Sequence, residues 1–417
     1  MTASSGTPGA RRAAVTFIFI TVLLDMLALG MIIPVLPPLI KTFRGGDTAL
    51  AATTLAWFGT TWAAIQFVAS PILGSLSDRF GRRPVILLSN AGLGLDYVVM
   101  ALAPSLPWLF VGRVLSGVTS ASVPTAFAYI ADVTPAESRA KSYGLIGAAF
   151  GVGFIVGPAI GGLLSLAGPR MPFWCAAAFS LANAMYGFFV LPESLSPDRR
   201  AQFSWRRANP LGSLRLLRGH HELFGLATVH FLYNLAHQSL QSVFVLYTGY
   251  RYGWDSMRVG WALAVVGVSF VIVQVRMVGP VVASLGERRA LVTGLFAGAI
   301  GFSIYGVAPS GWIFILGIPI MSIWGLYGPS AQGLMTRRVK PNEQGALQGA
   351  LTSIAGLTGI VGPAIFSETF AVSISSAREW HVPGAPYLLA ALILLVAIAV
   401  AWRATSARSP AATPIAV

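Results

Sequence analysis

Apolar residues in this chain neither alternate nor recur every three to four positions; they run in long blocks. The blocks lie near 13–40, 53–75, 84–104, 106–131, 142–167 and 172–192, then after a polar stretch from Glu193 to Glu222 near 223–248, 257–282, 290–308, 311–335, 346–373 and 385–403. A helix that crosses a bilayer needs about 20 apolar residues, so the pattern predicts twelve spans, numbered 1 to 12 in chain order. Span 1 is longer than a signal-peptide core and no small-residue cleavage site follows it, so it is expected to be retained.

Composition sharpens this. Of 417 residues 55% are hydrophobic and 10% charged, against about 25% charged in a soluble domain. The reading is an all-α membrane protein. A net charge of +14 suggests nucleic acid only in a soluble protein. Here, with a cytoplasmic N-terminus, inner segments hold 20 of the 28 Lys and Arg, outer loops hold 6, and Arg113 and Arg276 fall inside spans. That bias predicts two cytoplasmic termini and no nucleic-acid partner. The single Cys175 excludes a disulfide framework and a cysteine metal cluster. His220, His221 and His381 form no ligand spacing, and the glycines from Gly147 to Gly162 sit in an apolar span that suits helix packing. No enzyme chemistry, metal or cofactor is expected.

The hexamer Ile-Val-Gly-Pro-Ala-Ile occurs at 155–160 and again at 360–365, an offset of 205 residues. The same offset carries Gly81 onto Gly286, Gly144 onto Gly349 and Pro124 onto Pro329. The chain therefore reads as a duplicated six-helix unit: an N-terminal bundle over 1–192, a cytoplasmic connector over 193–222, and a C-terminal bundle over 223–417 ending in a short tail. Parallel six-helix repeats that rock about a midplane site are a transporter architecture. The copies are chemically unequal, because Asp25, Asp96 and Arg113 map onto His230, Gly301 and Ile318.

Between spans 2 and 3 the chain reads Gly74-Ser-Leu-Ser-Asp78-Arg79-Phe-Gly81-Arg82-Arg83-Pro84; Gly112-Arg113 stands in span 4, and Gly157-Pro158 with Gly161-Gly162 in span 5. These motifs resemble the major facilitator superfamily and its twelve-span drug/proton antiporters. Asp25 to Pro37, Arg83 to Tyr97, Tyr252-Gly253-Trp254, Gly286-Glu287-Arg288 and Gln344 to Pro363 extend the likeness to the tetracycline/proton efflux branch. The resemblance implies a latch, favouring the outward-facing state, in which Asp78 sits against the N-terminus of a helix from the other half, and Arg82 or Arg83 pairs with Asp132. It also implies that Gly157, Pro158, Gly161 and Gly162 form the antiporter motif.

Asp25 lies ~18 Å along a helix from Ala13 at 1.5 Å per residue, near the bilayer middle. An intramembrane carboxylate costs about 2.5–3.5 kcal/mol, so it faces a cavity, finds a partner or carries protons. The expectation is that Asp25 takes up the transported proton, with Asp96 and Arg113 tuning it; the alternative is a permanently ionised pair of Arg113 with one aspartate. In span 7, His230, Asn234, His237, Gln238 and Gln241 share one helix face and are expected, with Gln66, Trp324 and Tyr327, to line a substrate cavity. The alternative for such a stripe is glue between helices. The chain departs from the tetracycline exporters in carrying Phe270 for a histidine and Gly298 for an aspartate, which leaves Arg276 and Glu368 as substitutes or incidental charges. The expected protein is a monomer in the bacterial inner membrane that exports a small amphipathic drug against protons. The alternative is proton-coupled uptake or passive facilitation.

Overall fold

The computed structural model describes residues 8–205, 208–219, 221–340, 343–375 and 381–406; Arg206, Arg207, His220, Arg378, Arg408 and most of the predicted tail lie outside them. The described residues form helices, turns and loops without a strand. Span 1 is Pro8–Ile32 continued by Leu36–Phe43, span 2 Thr48–Phe80, span 3 Arg82–Leu102, and span 4 Leu106–Thr119 with Ser122–Val133. Span 5 is Ala136–Leu164, span 6 Met171–Val190 and span 7 His221–Tyr252. Spans 8 and 9 are one helical run folded back at Gly286, whose φ is 75°. Span 10 is Gly311–Thr336, span 11 Gln344–Ser373 and span 12 Ala385–Ser406.

Among the described residues nine helical stretches are long and apolar enough to cross a membrane, and one of them, Ser256–Val307, holds two spans. Spans 2 and 7 complete the twelve and fall short by that measure because of threonines, Gln66 and the His230–Gln241 stripe. These two polar helices pack against span 11. Polar side chains collect where helix meets helix.

The duplication is visible in detail. Asp47 caps span 2 by accepting the Leu50 amide at 2.9 Å, and Asp255 caps span 8 by accepting the Arg258 amide at 2.8 Å. Span 4 breaks at Ser120 and Ala121, and span 10 has a 3-10 segment, Ile323–Leu326, one offset later. The two hexamers do the same work. Pro158 in span 5 presents its carbonyl to Gly260 of span 8, and Pro363 in span 11 presents its ring to Gly59 of span 2, where an added Cβ would lie 2.3 and 3.0 Å away.

We call the end that holds Arg79, Arg82, Arg83, Arg337 and Arg338 the basic end and the opposite one the far end. The halves meet along two antiparallel seams. In the first, spans 2 and 11 touch through Thr53 with Glu368, Gly59 with Pro363, Thr60 with Ile360, Ala63 with Gly359, and Phe67 with Gly356. In the second, spans 5 and 8 touch through Gly162 with Ser256, Pro158 with Gly260, and Ile155 with Gly267. Both seams part toward the basic end. A Cβ added at Gly151 reaches Val271 only at 3.8 Å, and one added at Gly74, Gly144, Gly147, Gly279 or Gly345 meets nothing within 4 Å. The molecule is closed at the far end and open at the basic end.

Candidate functional site

The glycines of span 5 set its geometry. Gly153, Gly157 and Gly161 recur every four residues, so they share a face. An added Cβ at these positions would lie 2.3 Å from Met26, 2.8 Å from Gly30 and 2.2 Å from the Met31 carbonyl. Span 1 is thus held backbone to backbone, just beyond Asp25. Gly162 faces span 8 instead, and Pro158 meets both, its ring against Gly30 of span 1 and its carbonyl against Gly260 of span 8. Gly157, Pro158, Gly161 and Gly162 join span 1 to the seam between spans 5 and 8.

Asp25 is 3% exposed and accepts a hydrogen bond at 3.1 Å from the Asn183 amide of span 6, which also donates to the Thr21 carbonyl at 3.0 Å. Its other oxygen is buried without a hydrogen-bond partner, and no cation pairs with it among the described residues. Arg113 goes elsewhere: it binds Asp96 at 3.0 Å, with Asp96 fully buried and Arg113 12% exposed. Gly112 makes room for that pair, since a Cβ there would lie 2.5 Å from Asp96 Oδ1. The expected trio is therefore a pair and a single. Asn183 escaped the sequence reading because a lone amide in an apolar window carries no signal of its partner.

At the basic end Arg82 binds Asp78 at 2.6 Å, Asp132 at 3.2 Å and the Ser77 hydroxyl at 2.7 Å. The expected Arg82–Asp132 pair is present. Arg83 donates to the Phe188 carbonyl at 2.6 Å, and Arg79 lies over the Phe80 ring. In this arrangement Asp78 is not docked on a helix of the other half: its side chain is 41% exposed and paired within its own half. The physical reason is the opening described above, which leaves Gly74 and Gly345 without neighbours within 4 Å. The same arrangement recurs with its charges exchanged. One offset on, Glu287 stands for Arg82 and Arg337 for Asp132, and they pair at 2.8 Å.

Glu193 is a part of this cluster that the sequence reading left at the edge of the connector. Its carboxylate accepts the Arg82 amide at 2.8 Å and the Arg83 amide at 3.3 Å, capping span 3 across 111 residues of chain. It also accepts the Ser194 and Leu195 amides at 3.0 Å, while Ser194 Oγ donates to Asp132. Gly81, at φ 108°, turns the backbone so that this carboxylate fits where a Cβ would stand. The signal was the Gly81-Arg82-Arg83 turn, whose exposed amides needed an acceptor.

The predicted cavity residues divide. His230 Nδ1 lies 3.2 Å from the Tyr327 hydroxyl, Tyr233 stacks on Tyr327 with centroids 3.8 Å apart, and Trp324 packs between Tyr233, His237 and Phe302. Trp324 and Tyr327 are buried at 5% and 1% exposure and form the wall behind span 7. Asn234 turns its amide to its own helix at the His230 carbonyl, and Gln238 packs against Gly362 of span 11. Gln241 is exposed. Gln66 donates to Ser120 Oγ at 2.8 Å, at the break of span 4, and Gln274 donates to the Gly325 carbonyl at 3.2 Å, at the break of span 10. The stripe thus touches neighbouring helices while His230, Asn234, His237 and Gln238 stay half-buried, each with an accessible edge. Tyr233, three residues past His230 on the same face, was legible but unremarked among aromatic neighbours. Phe270 is 46% exposed and its ring abuts Gly325. A π-helical turn, Val273–Met277, follows it and carries the exposed Arg276, and Gly298 takes the Trp324 ring.

Two crevices of about 500 and 240 Å³ open at the far end, the larger by Trp57 and Phe110, the smaller between the halves by Leu39 and Met257; no residue of the predicted cavity lines either. Comparison with known proteins settles the lineage. The Major Facilitator Superfamily pattern matches residues 18–363 and, again, 226–416. The chain belongs to the major facilitator superfamily. It is 37% identical to the class C tetracycline resistance protein of Escherichia coli over 371 residues, covering 88% of this chain and 93% of that one, and 34% identical to the class B protein of the same species, covering 86% and 88%. The fold matches that of a bacterial homologue of the human lysosomal transporter Spinster in its inward-facing, unoccupied conformation, with a TM-score of 0.76 at 16% identity over 98% of this chain and all of that one. This superfamily member is a multi-pass membrane transporter and not an enzyme. Its halves are the two pseudo-symmetric six-helix bundles of that fold.

Proposed function

We propose that this transporter exports a small amphipathic compound, tetracycline-like or another drug, in exchange for protons across the bacterial cytoplasmic membrane. The basic end faces the cytoplasm, following the distribution of Lys and Arg. Both termini lie there, and residues 1–192 and 223–417 rock against each other with 193–222 as their connector. The protein needs no cofactor beyond the proton gradient and works as a monomer.

Asp25 carries the reading. Each of the two aspartates keeps one buried oxygen without a hydrogen-bond partner, but Asp96 has its counter-ion and Asp25 has none among the described residues, the state in which a carboxylate gains most from a proton. Its helix is packed without clearance on the span 5 glycines, and span 5 forms half of one seam. Protonation at Asp25 therefore acts on the element that separates the halves, and a ligand that favours one arrangement shifts the proton's affinity in return. Gln238, Gln274, His237 and Phe270 offer amide, imidazole and aromatic surfaces without a carboxylate, which suits an amphipathic compound.

The test is proton release from purified protein in proteoliposomes as candidate compounds, tetracycline among them, are added. A flux that depends on the compound and is lost in Asp25→Asn is expected. Full coupling in that variant would remove Asp25 from the mechanism, and substrate movement with no proton flux in wild type would make this protein a facilitator.

A further inference from the structure

Span 2 has no charged residue between Thr48 and Ser77, and span 11 has one, Glu368, between Gln344 and Ser373. Glu368 lies where the first seam begins at the far end. There Thr53 Oγ1, from the other half, donates to its Oε2 at 3.2 Å. Both residues are half-buried. Asp78 stands at the opposite end of span 2, paired with Arg82 of its own half. The seam is thus tipped by a carboxylate from each half, one at each end, and the one at the closed end is engaged across the seam while the one at the open end is not.

We propose that Glu368 is the far-end latch of the transport cycle, a positioning residue that holds the halves shut there by accepting the Thr53 hydroxyl. It rests on the alternating-access reading above. The contact is charge-assisted, stronger than a neutral hydrogen bond, and it crosses between the bodies that must part. Below it the seam is made of Gly59 against Pro363, Ala63 against Gly359 and the Thr60 bond to a carbonyl. These contacts hold without charge and separate without stranding one. Glu368 is the charged group of this seam that trades a protein partner for water as the far end opens. It supplies a set point for the equilibrium between the two states.

The test reads conformation, so it does not depend on transport. In a Cys175→Ala background, Trp57→Cys and Ile365→Cys place spin labels on exposed positions of spans 2 and 11, and pulsed EPR in nanodiscs, without substrate or gradient, gives their distance distribution. Thr53→Val and Glu368→Ala are each expected to raise the ratio of long to short distances about tenfold, as loss of one hydrogen bond to a charged group predicts. The double variant is expected to go no further than either single one. Glu368→Gln, which keeps an acceptor, stays within about threefold of the parent. Unchanged distributions in both single variants, or additive effects in the double, would overturn the latch while leaving the proton assay for Asp25 untouched.

Discussion

Asp25 and Asp96 occupy the same half of the molecule and differ in what neutralises them. Removing Arg113 from its buried pair strands a carboxylate that is fully buried. Arg113→Met is therefore expected to destabilise the protein by about 3 kcal/mol or more, and adding Asp96→Leu to recover much of it, because a buried ion pair replaced as a unit costs far less than one broken. Thermal unfolding in detergent micelles checks the order of the two variants. That a carboxylate at position 25 must be special was legible in the sequence, since a charge twelve residues into a span has few inexpensive solutions. Which aspartate takes the arginine was not, because the choice depends on a glycine, Gly112, that opens space on one side of span 4.

At the scale of the helix, glycine does two jobs that sequence alone cannot separate. Gly161 is in contact with the Met31 backbone, whereas Gly147, on the same helix, has open space. Gly161→Val is expected to prevent accumulation of folded protein, as there is no flexible side chain to yield. Gly147→Val is expected to leave this conformation as stable as before, and to penalise the alternative in which the basic ends of spans 5 and 8 close. The check is the proton flux assay paired with melting: Gly147→Val keeps its melting temperature within about 2 °C and loses most of its turnover. The repeat was legible as an identical hexamer, and so was its place in span. Its use was not, since only the packing shows that Pro158 and Pro363 lie on the two seams.

Across the whole molecule the duplication preserves shape and lets energy drift. The ion pair Arg82–Asp132 and its charge-exchanged counterpart Glu287–Arg337 occupy matching corners, with 11% and 16% exposure in the first and 17% and 76% in the second. Exposed pairs contribute about 0–1 kcal/mol. Arg337→Ala is expected to change stability by less than about 0.5 kcal/mol and Arg82→Ala by about 2, measured by the same thermal unfolding, since Arg82 also ties Ser77 and Asp78 into its cluster. The twelve-span frame, the halves and the basic turn were legible because a bilayer enforces long apolar runs. Where Asp78 turns was not, because its pairing with Arg82 depends on how the two halves are arranged.

The cap that Glu193 places on span 3 also has a meaning for biosynthesis. Span 3 begins with amides that have no acceptor until a residue 111 positions later has been made, an interval of roughly 6–20 s at ordinary rates of translation. During that interval spans 3 to 6 leave the ribosome with the Gly81 turn unfinished. The first half therefore gains this cap only when the chain reaches its connector.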